Sequence, residues 1–79
     1  MPSAADIRQM TDGEIEQALQ DAKQEMFNLR FQWNMGQLED YNRIRQLKKD
    51  VARYLTIQRE RELAAEVVAA LAQEEADDE

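Results

Sequence analysis

Residues 15–33 read Ile15-Glu16-Gln17-Ala18-Leu19-Gln20-Asp21-Ala22-Lys23-Gln24-Glu25-Met26-Phe27-Asn28-Leu29-Arg30-Phe31-Gln32-Trp33, and the placement of the apolar side chains in this stretch decides the fold class. Ile15, Leu19, Ala22, Met26, Leu29 and Trp33 follow one another at intervals of 4, 3, 4, 3 and 4. At about 3.6 residues per turn that rhythm collects all six on one narrow stripe of an α-helix, whereas a half-buried strand would alternate every second residue. The stripe must face another element, so Met26 and Trp33 are expected to be core.

Upstream, Thr11-Asp12-Gly13-Glu14 has the form of a helix N-cap followed by an acid at the third helical position, and Ser3 with Asp6 can cap a shorter turn before it. Downstream, Gly36 supplies a residue that adopts left-handed backbone at little cost, and Asp40 offers a cap for the next helix. Beyond it Ile44, Leu47, Val51 and Tyr54 repeat the same rhythm, with Gln58 next in the series and Leu55 beside them. A connection this short makes the two helices antiparallel. The expected fold is therefore all-α: a helical hairpin of two long antiparallel helices, with a short N-terminal helical turn. Residues 1–63 form the hairpin domain. Residues 64–79 form a helix extension, carried toward Leu71 by Ala-rich sequence, and an acidic tail in which Glu74 to Glu79 are expected to be disordered and solvated.

The inventory excludes much chemistry. With no Cys and no His among 79 residues, thiolate and imidazole metal sites, disulfides and nucleophile–His pairs are absent. Carboxylates abound, but acid–base catalysis needs an enclosed pocket that two helices do not provide. The tail lacks the spaced D-x-D-x-D-G loop of a calcium site. No enzymatic activity, cofactor, metal or small-molecule substrate is expected. The longest apolar runs fall far short of the roughly 18 residues of a membrane span, and MPSAADIRQM lacks the features of a signal peptide, so a cytoplasmic location away from membranes is expected.

The net charge of −7 conceals three blocks. Residues 1–40 carry three basic and eight acidic side chains, residues 41–61 seven and two, and residues 62–79 none and seven. In the middle block Arg45, Lys49 and Arg53 recur every fourth residue, opposite Ile44, Leu47, Val51 and Tyr54, with Arg43, Lys48, Arg59 and Arg61 widening the patch. Asp50 and Glu60 are the only acids there. The cations cannot all be neutralised along their own helix, which favours an external polyanion such as folded RNA. On the first helix Phe27 and Phe31 lie off the stripe, positioned to stack on unpaired bases or to pack against another protein; a broader bundle face is the alternative.

Read in order, Glu25-Met26-Phe27-Asn28-Leu29-Arg30-Phe31-Gln32, Gly36-Gln37-Leu38, Lys48-Lys49-Asp50-Val51-Ala52-Arg53 and Arg59-Glu60-Arg61 resemble the bacterial large-subunit ribosomal protein twenty-nine family over roughly residues 5–63. The resemblance implies two long antiparallel helices and a structural role in the large ribosomal subunit. It also implies binding to 23S ribosomal RNA (rRNA) at the peptide exit tunnel beside protein twenty-three of that subunit, on a surface shared with nascent-chain-binding factors. Carried onto this chain, it makes Arg30, Arg45, Lys48, Lys49 and Arg53 the RNA-contact candidates, and Phe27, Asn28, Phe31, Gln32, Gly36 and Gln37 candidates for RNA or protein contact. The acidic tail departs from the family pattern. The competing reading is a homo-oligomeric coiled-coil or four-helix bundle that uses the same two stripes without RNA. A core this small is in either case expected to lean on a partner.

Overall fold

A computed structural model describes residues 3–77, and these contain α1 (Ala4–Arg8), α2 (Asp12–Asn34) and α3 (Asn42–Asp77). Each start has a local cause. Ser3 and Asp6 form a reciprocal capping box, the Ser3 backbone N–H donating to Asp6 Oδ2 at 3.1 Å and the Asp6 N–H to Ser3 Oγ at 3.2 Å. Those bonds hold the Asp6 carboxyl below its ordinary pKa, the backbone bond from Ser3 being the larger cause. Thr11 Oγ1 accepts from the Glu14 N–H at 3.1 Å, while the Glu14 carboxylate takes the Thr11 hydroxyl rather than its backbone N–H. The Asp40 carboxylate accepts from the Asn42 N–H at 2.9 Å.

The end of α2 explains the reversal. Gly36 has φ +71°, its N–H donates to the Trp33 carbonyl at 3.1 Å, and the Gln37 N–H reaches back to the Gln32 carbonyl at 2.9 Å. This is the paired bonding of a Schellman termination, which needs left-handed backbone at its penultimate residue. Residues 37–41 then lead into α3, which returns antiparallel along α2.

The core is one seam. Ile15, Leu19 and Ala22 of α2 meet Leu47, Tyr54 and Ile57 of α3, and Ile7 of α1 joins the cluster at zero exposure; Met10, Ala18, Met26, Leu29 and Val51 pack around it. Ile44 is also fully buried, nearer the turn. Burial pushes the Tyr54 phenol above its ordinary pKa, with the nearby Asp50 carboxylate a second cause, so the ring stays neutral.

Three expectations require correction. Trp33 is 43% exposed and is not core, because α2 ends one residue later and α3 has not begun opposite it. Ile57 rather than Gln58 continues the second stripe: Ile57 is 1% exposed, whereas Gln58 is half-buried and donates to Glu16 at 3.0 Å. The buried positions Leu47, Asp50, Tyr54 and Ile57 follow at intervals of 3, 4 and 3, so the step after Tyr54 is three residues and lands on Ile57. Finally, Glu74 to Asp77 are helical rather than disordered, since six alanines between residues 64 and 76 sustain α3 without tertiary support. Asp78 and Glu79 lie outside the described residues.

Candidate nucleic-acid interface

Which cations remain available follows from where each side chain finds a carboxylate. Arg43 reaches across to α2, with Nε on Glu25 Oε1 at 2.8 Å and Nη2 on Oε2 at 3.0 Å. This bidentate pair holds the Glu25 carboxyl below, and the Arg43 guanidinium above, their ordinary pKa values, hydrogen bonding being the leading cause in both. Arg8 of α1 meets Glu60 at 3.2 Å, and Arg59 meets Glu62 at 2.9 Å. Arg53 lies 3.4 Å from Asp50, itself only 6% exposed. Arg61 joins the two shorter helices: Nη2 donates to the Met10 carbonyl at 2.7 Å and the Arg8 carbonyl at 3.1 Å, while Nη1 pairs with Asp12.

Helical phase accounts for these assignments. Arg43, Leu47, Asp50, Tyr54, Ile57 and Arg61 succeed one another at intervals of 4, 3, 4, 3 and 4, so Arg43 and Arg61 are the charged ends of the buried stripe. They fasten the hairpin and do not widen the outward patch. Replacing Arg61 with Met keeps the stem but removes the cap from the two carbonyls at the α1–α2 junction. The expected cost is about 1–2 kcal/mol, discounted for partial exposure, with α1 released first. Hydrogen exchange should quicken over residues 4–8 while α2 and α3 stay protected; unchanged exchange there would refute the assignment.

Among the described residues, Arg45, Lys48 and Lys49 are exposed and make no ion pair, and neither does exposed Arg30 on α2. Two of the three on α3 are organised by an aromatic ring that sequence reasoning did not single out. The Arg45 guanidinium carbon stands 5.8 Å, and Lys48 Nζ 5.5 Å, from the Tyr41 ring centroid. Trp33 meets the same ring edge-on, centroids 5.2 Å apart at 67°. The signal was in the sequence: Tyr41, Arg45 and Lys48 at i, i+4 and i+7 share one helix face. Trp33 thus supports the cationic face across the turn.

The α2 candidates form a second, separate surface. Phe27 and Phe31, 66% and 60% exposed, line an open depression with Asn28, Gln32 and Gln37. Phe27 and Phe31 lie opposite the α2 seam, just as Arg45 and Lys49 lie opposite that of α3. Since the seams face each other, the aromatic and basic faces point in opposite directions. Gly36 shapes the turn between them. The described residues contain no group of His, Cys, Asp or Glu suited to a metal ion and no helix long and apolar enough to cross a membrane.

A hairpin whose hydrogen-bonded charges fasten its own helices, and whose remaining cations and aromatics stand on open faces, defines a small structural protein that works by contact. Comparison with known proteins agrees with that class. The family model described as ribosomal L29 protein matches residues 5–61. The large ribosomal subunit protein uL29 of Geobacillus stearothermophilus is 60% identical over 62 residues, covering 78% of this chain and 94% of the relative. The protein of that name from Natranaerobius thermophilus is 53% identical over 60 residues, with 76% and 92% covered. That from Streptomyces griseus is 48% identical over 65 residues, with 82% and 88% covered. The chain belongs to the ribosomal L29 protein family, whose members are structural and not enzymes.

Proposed function

We propose that this chain is a structural constituent of the large ribosomal subunit that binds 23S rRNA through the outward face of α3, near the peptide exit tunnel. The observation that carries the reading is the contrast among the cations of α3. Arg43, Arg53, Arg59 and Arg61 have carboxylates of their own, whereas Arg45, Lys48 and Lys49 stand unpaired on one exposed face. Such a face neutralises phosphates, displaces counterions and reads little base sequence. Arg30 adds a cation from α2. Arg53, drawn toward Asp50, is the weakest of the candidates.

The opposite face suits a different contact. Phe27 and Phe31 with the amides of Asn28, Gln32 and Gln37 offer apolar area with polar edges, the composition of a protein interface core and rim. The neighbouring subunit protein that the family resemblance implies, protein twenty-three, is the proposed occupant, and nascent-chain-binding factors would meet the assembled surface. A cytoplasmic location on the ribosome follows from this reading.

Sedimentation of extract through high salt and then through magnesium depletion tests it. The chain is expected to travel with intact large subunits in salt and to leave them as the RNA unfolds. A discrete, RNA-free small species in the starting extract would instead establish the homo-oligomeric module.

A further inference from the structure

Past Arg61, α3 leaves the hairpin. Residues 62–75 are exposed throughout, so roughly 20 Å of single helix stands clear at about 1.5 Å per residue, and the molecule reaches 67 Å in its long dimension. A lone solvated helix is ordinarily polar all round. This one is not. Leu63, Val67, Val68 and Leu71 are 45%, 56%, 66% and 55% exposed, and at about 100° per residue they gather with Ala64 on one side. Glu62 lies on the other side, Glu66 flanks the stripe at the edge beside Leu63, and Glu74 and Glu75 close it one turn beyond Leu71. No basic residue occurs from 62 onward. The family match ends at residue 61, so the arm lies beyond the matched hairpin.

We propose that residues 62–75 form a docking helix for a basic amphipathic segment of a partner protein, whose apolar side covers Leu63, Val67, Val68 and Leu71 while its Lys or Arg side chains meet Glu66, Glu74 and Glu75. Charge selects this occupant. Nucleic acid is repelled by an arm of one negative sign, and a second copy pairing arm to arm sets carboxylate against carboxylate in either direction. A cationic helix gains on both counts, burying the stripe and neutralising its rim. The inference stands apart from RNA binding, because it uses none of the residues of the basic face.

The test uses the full chain, isotope-labelled, titrated with a designed peptide of Leu and Lys about five helical turns long. A Leu/Glu peptide of the same pattern and a Lys/Gln peptide without apolar side chains serve as comparisons. Amide shifts confined to residues 62–75, with the Leu/Lys peptide bound at least about tenfold more tightly than either comparison, would support the proposal. The double variant V67D/L71D and the triple variant E66K/E74K/E75K should each weaken binding by about tenfold or more. All five positions are in solvent, so the aromatic circular dichroism of the hairpin should not change. Equal binding of the Leu/Glu or Lys/Gln peptide, or unaltered binding by V67D/L71D, would overturn it. So would a concentration-dependent dimer of the chain alone that V67D/L71D abolishes, which would make a second copy the occupant.

Discussion

Replacing Arg45, Lys48 and Lys49 together with Glu is expected to leave the hairpin folded and to remove the chain from large subunits. The three side chains are exposed and make no ion pair within the chain, so the folded state loses only the interactions of Arg45 and Lys48 with the Tyr41 ring, about 0.5–1 kcal/mol each at an exposed site. Binding loses far more. Three charge-assisted phosphate contacts at about 1.5 kcal/mol each amount to roughly a thousandfold in affinity before the repulsion of the new carboxylates is added. Helicity by circular dichroism and incorporation by sedimentation measure the two halves separately. Incorporation at the unaltered level would defeat the assignment of this face to RNA.

A milder substitution sharpens the same expectation. With Gln at the three positions, the slope of log affinity against log salt should fall in magnitude by roughly two to three, since each phosphate neutralised contributes about 0.7–0.9. Gln at Arg43 and Arg59, whose guanidinium groups are already held by Glu25 and Glu62, should leave that slope nearly unchanged. Seven cations occur between residues 41 and 61, yet those without a carboxylate of their own decide the electrostatics that RNA meets.

A pattern in this sequence discloses structure in proportion to its length. The first seam spans five turns, and the structure confirms Ile15 to Leu29 along it. Gly36 was legible because a left-handed helix ending has few alternatives. Ile7 is fully buried but sits in a five-residue helix, too short for any periodicity to mark it. Trp33 kept the heptad interval but lies where the partner helix has not yet begun, so the rhythm outlasted the contact that gives it meaning. Charge density alone places Arg43 and Arg61 in the patch, whereas their phase with Leu47 and Tyr54 places them at the seam. The aromatic support of Arg45 and Lys48 by Tyr41 was available from spacing alone, but its bracing by Trp33 required the turn to be known. The acidic composition of the tail pointed to disorder, and the local propensity of alanine prevailed through Asp77.

Ile57→Ala is expected to be the most damaging single truncation for the isolated chain. Ile57 is 1% exposed and belongs to the cluster that holds Ile7 of α1, Ile15 of α2 and Tyr54 of α3 together. Truncating such a side chain costs about 2–5 kcal/mol, partly from transfer and partly from the cavity left behind. Typical domains have only about 5–15 kcal/mol in all, and a seam one side chain wide belongs at the low end, so most of the stability should vanish. Urea and thermal unfolding measure it; a loss below about 1 kcal/mol would show that the three helices do not share one core. Leu55→Ala, at a side chain 46% exposed, should change stability by less than about 0.5 kcal/mol. The ribosome separates this defect from the charge reversal. A partner that binds only the folded form restores a destabilised chain by mass action, so Ile57→Ala should still enter large subunits while largely unfolded alone. The reversed face should give the opposite pair of results, folded alone and absent from the subunit. Finding both would assign the seam to folding and the outward face of α3 to binding, on two sides of one helix.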